Sequence, residues 1–103
     1  MIIKTFKKII ISSEYKKSKI VKKVILNNKF SEKDLIELND TSATIDFCND
    51  AIKQIELLND KNSRRVAYKK LLFSLNVYKQ HFLKFKTYWK LRIIFKFNLD
   101  ITL

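Results

Sequence analysis

Two side chains, Cys48 and His81, are the natural candidates for nucleophile and base in this chain of 103 residues. Nucleophilic catalysis needs a nucleophile held against a base that a third group orients. His81 stands in a block of lysines and aromatics without such a partner, and reads as a partly exposed helix histidine. Cys48 shares an apolar stripe with Ile45, Ile52, Ile55 and Leu58, where a free thiol behaves as a small buried hydrophobe. Gly and Pro are both absent. That removes glycine-rich phosphate loops, dinucleotide fingerprints and nucleophile elbows, which all need a residue without Cβ. A single cysteine can form neither an internal disulfide nor a cysteine-rich zinc cluster. The acids Asp40, Asp46, Asp50, Glu56 and Asp60 match no calcium loop. They read as a solvated face, turned away from an anionic partner or toward a basic neighbour. The expectation is a protein that is not an enzyme, with no cofactor, no metal and no small-molecule substrate.

The basic residues carry more information. Lys and Arg number 22 against 10 Asp and Glu, a formal net charge of +12, which asks for a polyanionic counterweight. The charge is blocked. Residues 1–29 hold nine Lys and one Glu (+8), residues 30–62 three Lys and eight acids (−5), and residues 63–103 ten Lys or Arg and one Asp (+9). In the first block Lys4, Lys7, Lys8, Lys16, Lys17, Lys19, Lys22 and Lys23 recur so that a helix presents a ribbon of charge suited to phosphates. Leading into and along the last block, Lys61, Asn62, Ser63, Arg64, Arg65, Lys69, Lys70 and Lys79 combine a polar helix start with arginine forks. These suit phosphates and flipped-out bases. Tyr78, Phe82, Phe85, Tyr88 and Trp89 could stack on bases, although at this density most are expected to pack against protein. Anionic lipid is a second possible target of the first ribbon, because Ile and Phe lie beside it. The arginines and polar cap of the last block favour RNA and argue against membrane contact.

These residues must be held by folded elements, and 47% apolar and 13% aromatic content is too high for a disordered basic tail. Steps of three and four through Ile3, Phe6, Ile10, Ser13, Lys17, Ile20 and Val24 predict a helix, with a break expected near Ser12-Ser13. Asn27-Asn28 is its expected stop. Ser31 followed by Asp34 predicts an N-cap and a short helix through Leu38, ended by Asn39 to Ser42. A further helix is expected over Ile45 to Leu58, a turn at Asn59 to Ser63, and another helix from Arg64 through Phe82. Phe95, Phe97, Leu99, Ile101 and Leu103 alternate with polar residues, which predicts a strand. The expected architecture is mainly α, either extended or a three-to-four-helix arrangement. A single RNA-binding unit would span 1–94, with a C-terminal β-strand tail over 95–103 contacting a partner or the body. No stretch reaches the roughly 18 to 20 apolar residues that span a bilayer.

The segment Tyr15-Lys16-Lys17-Ser18-Lys19-Ile20-Val21-Lys22-Lys23-Val24-Ile25, with Asn28 and Phe30-Ser31, resembles the basic first helix of universal small-subunit ribosomal protein fourteen in its zinc-free form. Ala51, Ile55, Leu58 and Ser63, then Phe73-Ser74, Val77-Tyr78-Lys79, Phe82 and Leu91-Arg92, resemble its later motifs. The chain departs from that family at Lys69-Lys70-Leu71 and Ser74-Leu75-Asn76. Ile3-Lys4-Thr5-Phe6-Lys7-Lys8 with Ser13-Glu14 and Lys61-Asn62-Ser63 is similar to bacterial small-subunit protein twenty, and Asp60 with Ser63-Arg64-Arg65 to universal small-subunit protein fifteen. The resemblances imply a structural constituent of a small ribosomal subunit, with ribosomal RNA and neighbouring ribosomal proteins as partners. Heavy use of Lys, Ile, Asn and Phe suggests an AT-rich organelle genome, hence a mitochondrial matrix ribosome, with another organelle or a bacterial cytoplasm as alternatives. The first 26 residues also have the composition of an organelle presequence and are expected to belong to the working protein. The rival expectation is an accessory helical subunit of an organellar membrane complex.

Overall fold

The computed structural model describes residues 2–102, and side chains as far as residue 99. Four helices follow one another: α1 (Ile2–Asn27), α2 (Glu32–Glu56), α3 (Lys61–His81) and α4 (Phe85–Thr102). Their connections are three or four residues long, so sequential neighbours run antiparallel. The mainly α expectation holds, and the described residues contain no strand.

Local chemistry sets the boundaries. Asn28, at φ 50°, adopts the left-handed conformation that ends α1. Ser31 and Asp34 form a reciprocal capping box at the start of α2, the Ser31 side chain accepting from the Asp34 N–H at 3.1 Å. Asp60 caps α3 by accepting from the Ser63 N–H at 3.2 Å. The start of α4 is capped from a distance, where the Lys84 N–H donates to the buried carboxylate of Asp40 at 2.7 Å and the Thr87 hydroxyl donates to its second oxygen at 3.0 Å.

Three expectations about the elements are corrected. Neither Ser12-Ser13 nor Asn39 to Ser42 interrupts a helix. Ser13 is buried, and Thr41 and Thr44 return their hydroxyls to carbonyls one turn back, satisfying locally the polar groups that look like breakers in sequence. The strand predicted from residue 95 is the second half of α4 as far as Thr102, while Leu103 lies outside the described residues. Tyr88, Leu91 and Phe95 are buried and Leu99 half-buried, at steps of three and four, while Phe97 is exposed. The helical stripe decides the conformation because it buries apolar surface. The alternation of period two does not.

The core gathers where all four helices meet. Phe95 is fully buried, with ring centroids 5.1 Å from Phe6 of α1, 5.7 Å from Phe47 of α2 and 6.3 Å from Tyr68 of α3. Burying such a ring stabilises by about 1.5–3 kcal/mol, with roughly 0.5–1.5 more for each well-placed aromatic pair. Beyond this core the second half of α1 and the first turns of α2 continue as a two-helix projection, in which α1 residues beyond Ser13 are at most half-buried. The molecule is therefore long, 50 × 23 × 17 Å, with a radius of gyration of 15.1 Å against about 13 Å for a compact chain of this size.

Candidate nucleic-acid interface

One face of the α3–α4 pair holds a cleft of about 500 Å³ whose lining includes Arg65 and Lys69 from α3 and Arg92 and Lys96 from α4. The pairs repeat at i, i+4, which puts each on one face of its helix. The opposite faces of the same helices carry Leu71, Leu75, Leu91 and Phe95 into the core, so the backbone behind the cations is fixed. No described residue lining the cleft is a carboxylate. Four cations in one cleft repel one another, and an anion relieves that repulsion.

A polar chain crosses the floor. Arg92 Nη1 donates to the Tyr88 hydroxyl at 3.0 Å, and that hydroxyl donates to Asn76 Oδ1 at 2.8 Å. The Arg92 guanidinium also lies 5.2 Å from the Trp89 ring centroid, a cation–π distance. At one end Lys79 Nζ stands 4.5 Å from the Tyr88 ring centroid and 5.7 Å from that of Phe85. Phe73 lines the cleft while remaining 76% exposed.

The expected binding residues divide. Arg65 and Lys69 come together here, and Lys79 lies outside the lining, against the ring of the lining residue Tyr88. Arg64 does not join them, because its Nε donates to the Leu58 carbonyl at 2.7 Å and closes the end of α2. The polar start expected of Asn62-Ser63 is already used, since Asp60 accepts from both the N–H and the hydroxyl of Ser63. Lys61, Asn62 and Lys70 are exposed and lie outside the cleft lining. On α1, Lys4, Lys7 and Lys8 are exposed beside the core, while Lys17, Lys19 and Lys22 are exposed on the projection, Lys19 lying 4.8 Å from the Tyr15 ring centroid. Lys16 lines a separate polar cleft with Glu37 and Lys84. Lys23 pairs with Asp34 at 3.5 Å.

Sequence reasoning missed Arg92 and Lys96 as cleft residues. Tyr88, Arg92 and Lys96 recur every four residues, which was the available signal; the alternating reading of the tail hid it. It also missed what the acids do. Glu37 pairs with Lys84, whose hydrogen bond holds the Glu37 carboxyl below its ordinary value against the opposing effect of burial. Asp34 is likewise held low, chiefly by hydrogen bonding with Ser31 and then by the Lys23 ammonium. Asp50 accepts from the Tyr78 hydroxyl at 3.5 Å, and Asp46 lines the groove between α2 and α3. The acids named here serve helix ends or the other side of α3, which leaves the cleft basic.

The two candidate catalytic side chains have different surroundings. Burial pushes the Cys48 thiol up to about 12, so it holds its proton at neutral pH. His81 is exposed, its ring 5.9 Å from that of Phe82. The described residues contain no group of three or more potential metal ligands and no helix long and apolar enough to cross a membrane. Compared with known protein families, curated proteins and solved structures, the chain matches none.

Proposed function

We propose that this chain is a structural RNA-binding protein, a constituent of an organellar, first of all mitochondrial, small ribosomal subunit that grips ribosomal RNA through the α3–α4 cleft and the α1 lysines. The observation that carries the RNA part is the cleft of Arg65, Lys69, Arg92 and Lys96, acid-free among its described residues and backed by the core. The ribosomal part rests on the sequence resemblances alone. Affinity in such a cleft comes largely from counterion release, and so it falls steeply with salt. The test is fluorescence anisotropy with a single-stranded RNA oligomer across a salt series. Changing Arg65, Lys69, Arg92 and Lys96 together to Gln is expected to lower affinity by about 100-fold at low salt and to flatten the log–log salt slope by roughly three units. An unchanged slope sinks the cleft as the RNA site. Co-sedimentation with the small ribosomal subunit through a high-salt gradient tests the particle, and recovery away from ribosomes removes that part.

A second reading, an accessory subunit at an organellar membrane, is favoured by the end of the projection. There Ile25, Leu26 and Phe30 are exposed beside Lys22 and Lys29, a combination suited to an anionic lipid surface. Liposome binding that depends on Leu26 and Phe30, with no RNA binding, would select it.

A further inference from the structure

Resting on the RNA reading, we infer that the α3–α4 cleft selects bases by their keto groups, taking guanine or uracil in preference to adenine or cytosine. The argument comes from the inventory of donors and acceptors. Arg65, Lys69, Arg92 and Lys96 can only donate. Tyr88 and Asn76 can accept, but each already accepts one bond within the protein, so acceptor capacity in the cleft is small beside the donors of four cations and an amide. The Tyr88 hydroxyl accepts from Arg92 at 3.0 Å, and Asn76 Oδ1 accepts from Tyr88 at 2.8 Å. That second bond orients the Asn76 amide and leaves its NH2 end for a ligand. The described side chains of the cleft thus offer a ligand N–H donors.

A base placed there is matched when the edge it presents is made of acceptors. Guanine presents O6 and N7, and uracil presents O4; adenine and cytosine put an exocyclic amino group at the corresponding position. That amino group meets mainly donors in the cleft, and a donor set against donors gains no hydrogen bond in exchange for the water it displaces. Single-stranded RNA can turn such an edge outward, because its bases are unstacked and read individually. Phe73 is exposed at the cleft as a stacking surface, and the volume of about 500 Å³ lies within the range of small-ligand pockets. Arg92 is held by both Tyr88 and the Trp89 ring, so little side-chain freedom is lost when it meets a base.

The positioning residues are therefore Tyr88 and Asn76, and their test must read base preference as well as affinity. Alternating ten-nucleotide RNAs of G and U, and of A and C, carry equal charge and differ in their keto and amino groups. The keto oligomer is expected to bind the full chain about tenfold tighter at moderate salt. Asn76→Asp is nearly isosteric and keeps an acceptor for Tyr88, but it introduces a carboxylate that amino groups can meet. It is expected to collapse or invert the ratio. Tyr88→Phe, which releases the amide, is expected to shrink the ratio while the salt slope stays unchanged. Equal, salt-dependent binding of both oligomers by the unaltered chain overturns the keto preference and leaves the RNA reading standing. Absence of binding to either oligomer at low salt overturns both.

Discussion

The α3–α4 cleft and the α1–α2 projection are both basic and both expose aromatic or aliphatic surface, yet they are built differently. In the cleft, Arg65, Lys69, Arg92 and Lys96 stand on helices whose other faces are buried in the core. In the projection, Lys17, Lys19 and Lys22 stand on a helix whose partly buried contacts beyond Ser13 are Ile20 and Val24, and Lys23 is already paired with Asp34. Lys and Arg occur at similar density along the sequence in the two regions. Backing by a core gives the cleft cations fixed positions, and only fixed positions can discriminate between ligands; the projection can supply attraction without much selectivity.

Removal of that backing should have the largest effect. Phe95→Ala takes away the ring that touches Phe6, Phe47 and Tyr68, and is expected to destabilise by about 3–5 kcal/mol. Leu26→Ala, at a position 83% exposed, should change stability by less than about 0.5 kcal/mol. Urea denaturation of the two variants measures the contrast directly. Similar losses would mean that the projection is as firmly held as the cleft. An intermediate effect is expected at the place where the two regions divide. Asp40→Ala leaves the Lys84 N–H and the Thr87 hydroxyl without their carboxylate acceptor, at a cost of about 1–3 kcal/mol. Hydrogen exchange should show that cost in the first turn of α4, next to Tyr88. Protection unchanged there would show that the remote cap is not what holds the cleft in place.

The legibility of these regions in the sequence follows their physical origin. The capping box at Ser31 and Asp34 and the left-handed stop at Asn28 are local, spanning four residues or fewer, and both are visible from residue type and spacing. The apolar stripe that makes Cys48 a core residue is local as well. The continuity of α2 across Asn39 to Ser42 is not visible, because it depends on Thr41 and Thr44 finding carbonyls within the helix and on Asp40 finding Lys84, 44 residues away. Of the cleft, Arg65 and Lys69 are readable as one basic helix face. Arg92 and Lys96 join them only once Phe95 is placed in the core. Arg64 adjoins Arg65 in sequence and turns to a backbone carbonyl instead, a separation that residue type cannot reveal.

The smallest expected effect lies near the far end of the projection and distinguishes its stability from that of the cleft by pH. Asp34 has its folded-state pKa lowered by Ser31 and Lys23. Its contribution is therefore fully present above the ordinary carboxylate value of about 4 and is lost as pH falls through the lower folded value. Glu37 is lowered in the same sense by Lys84, so acid also weakens the junction, but one turn nearer the core. Between about pH 5 and pH 3, amides in the first turn of α2 are expected to lose protection against hydrogen exchange before those of α3 do. Asp34→Asn keeps an acceptor for the cap and removes the titration, so in that variant the first turn of α2 should be less sensitive to acid than in the unaltered chain. Loss of protection at one common pH throughout the molecule would mean that projection and cleft unfold as one cooperative unit, and the difference in backing between them would then have no energetic counterpart.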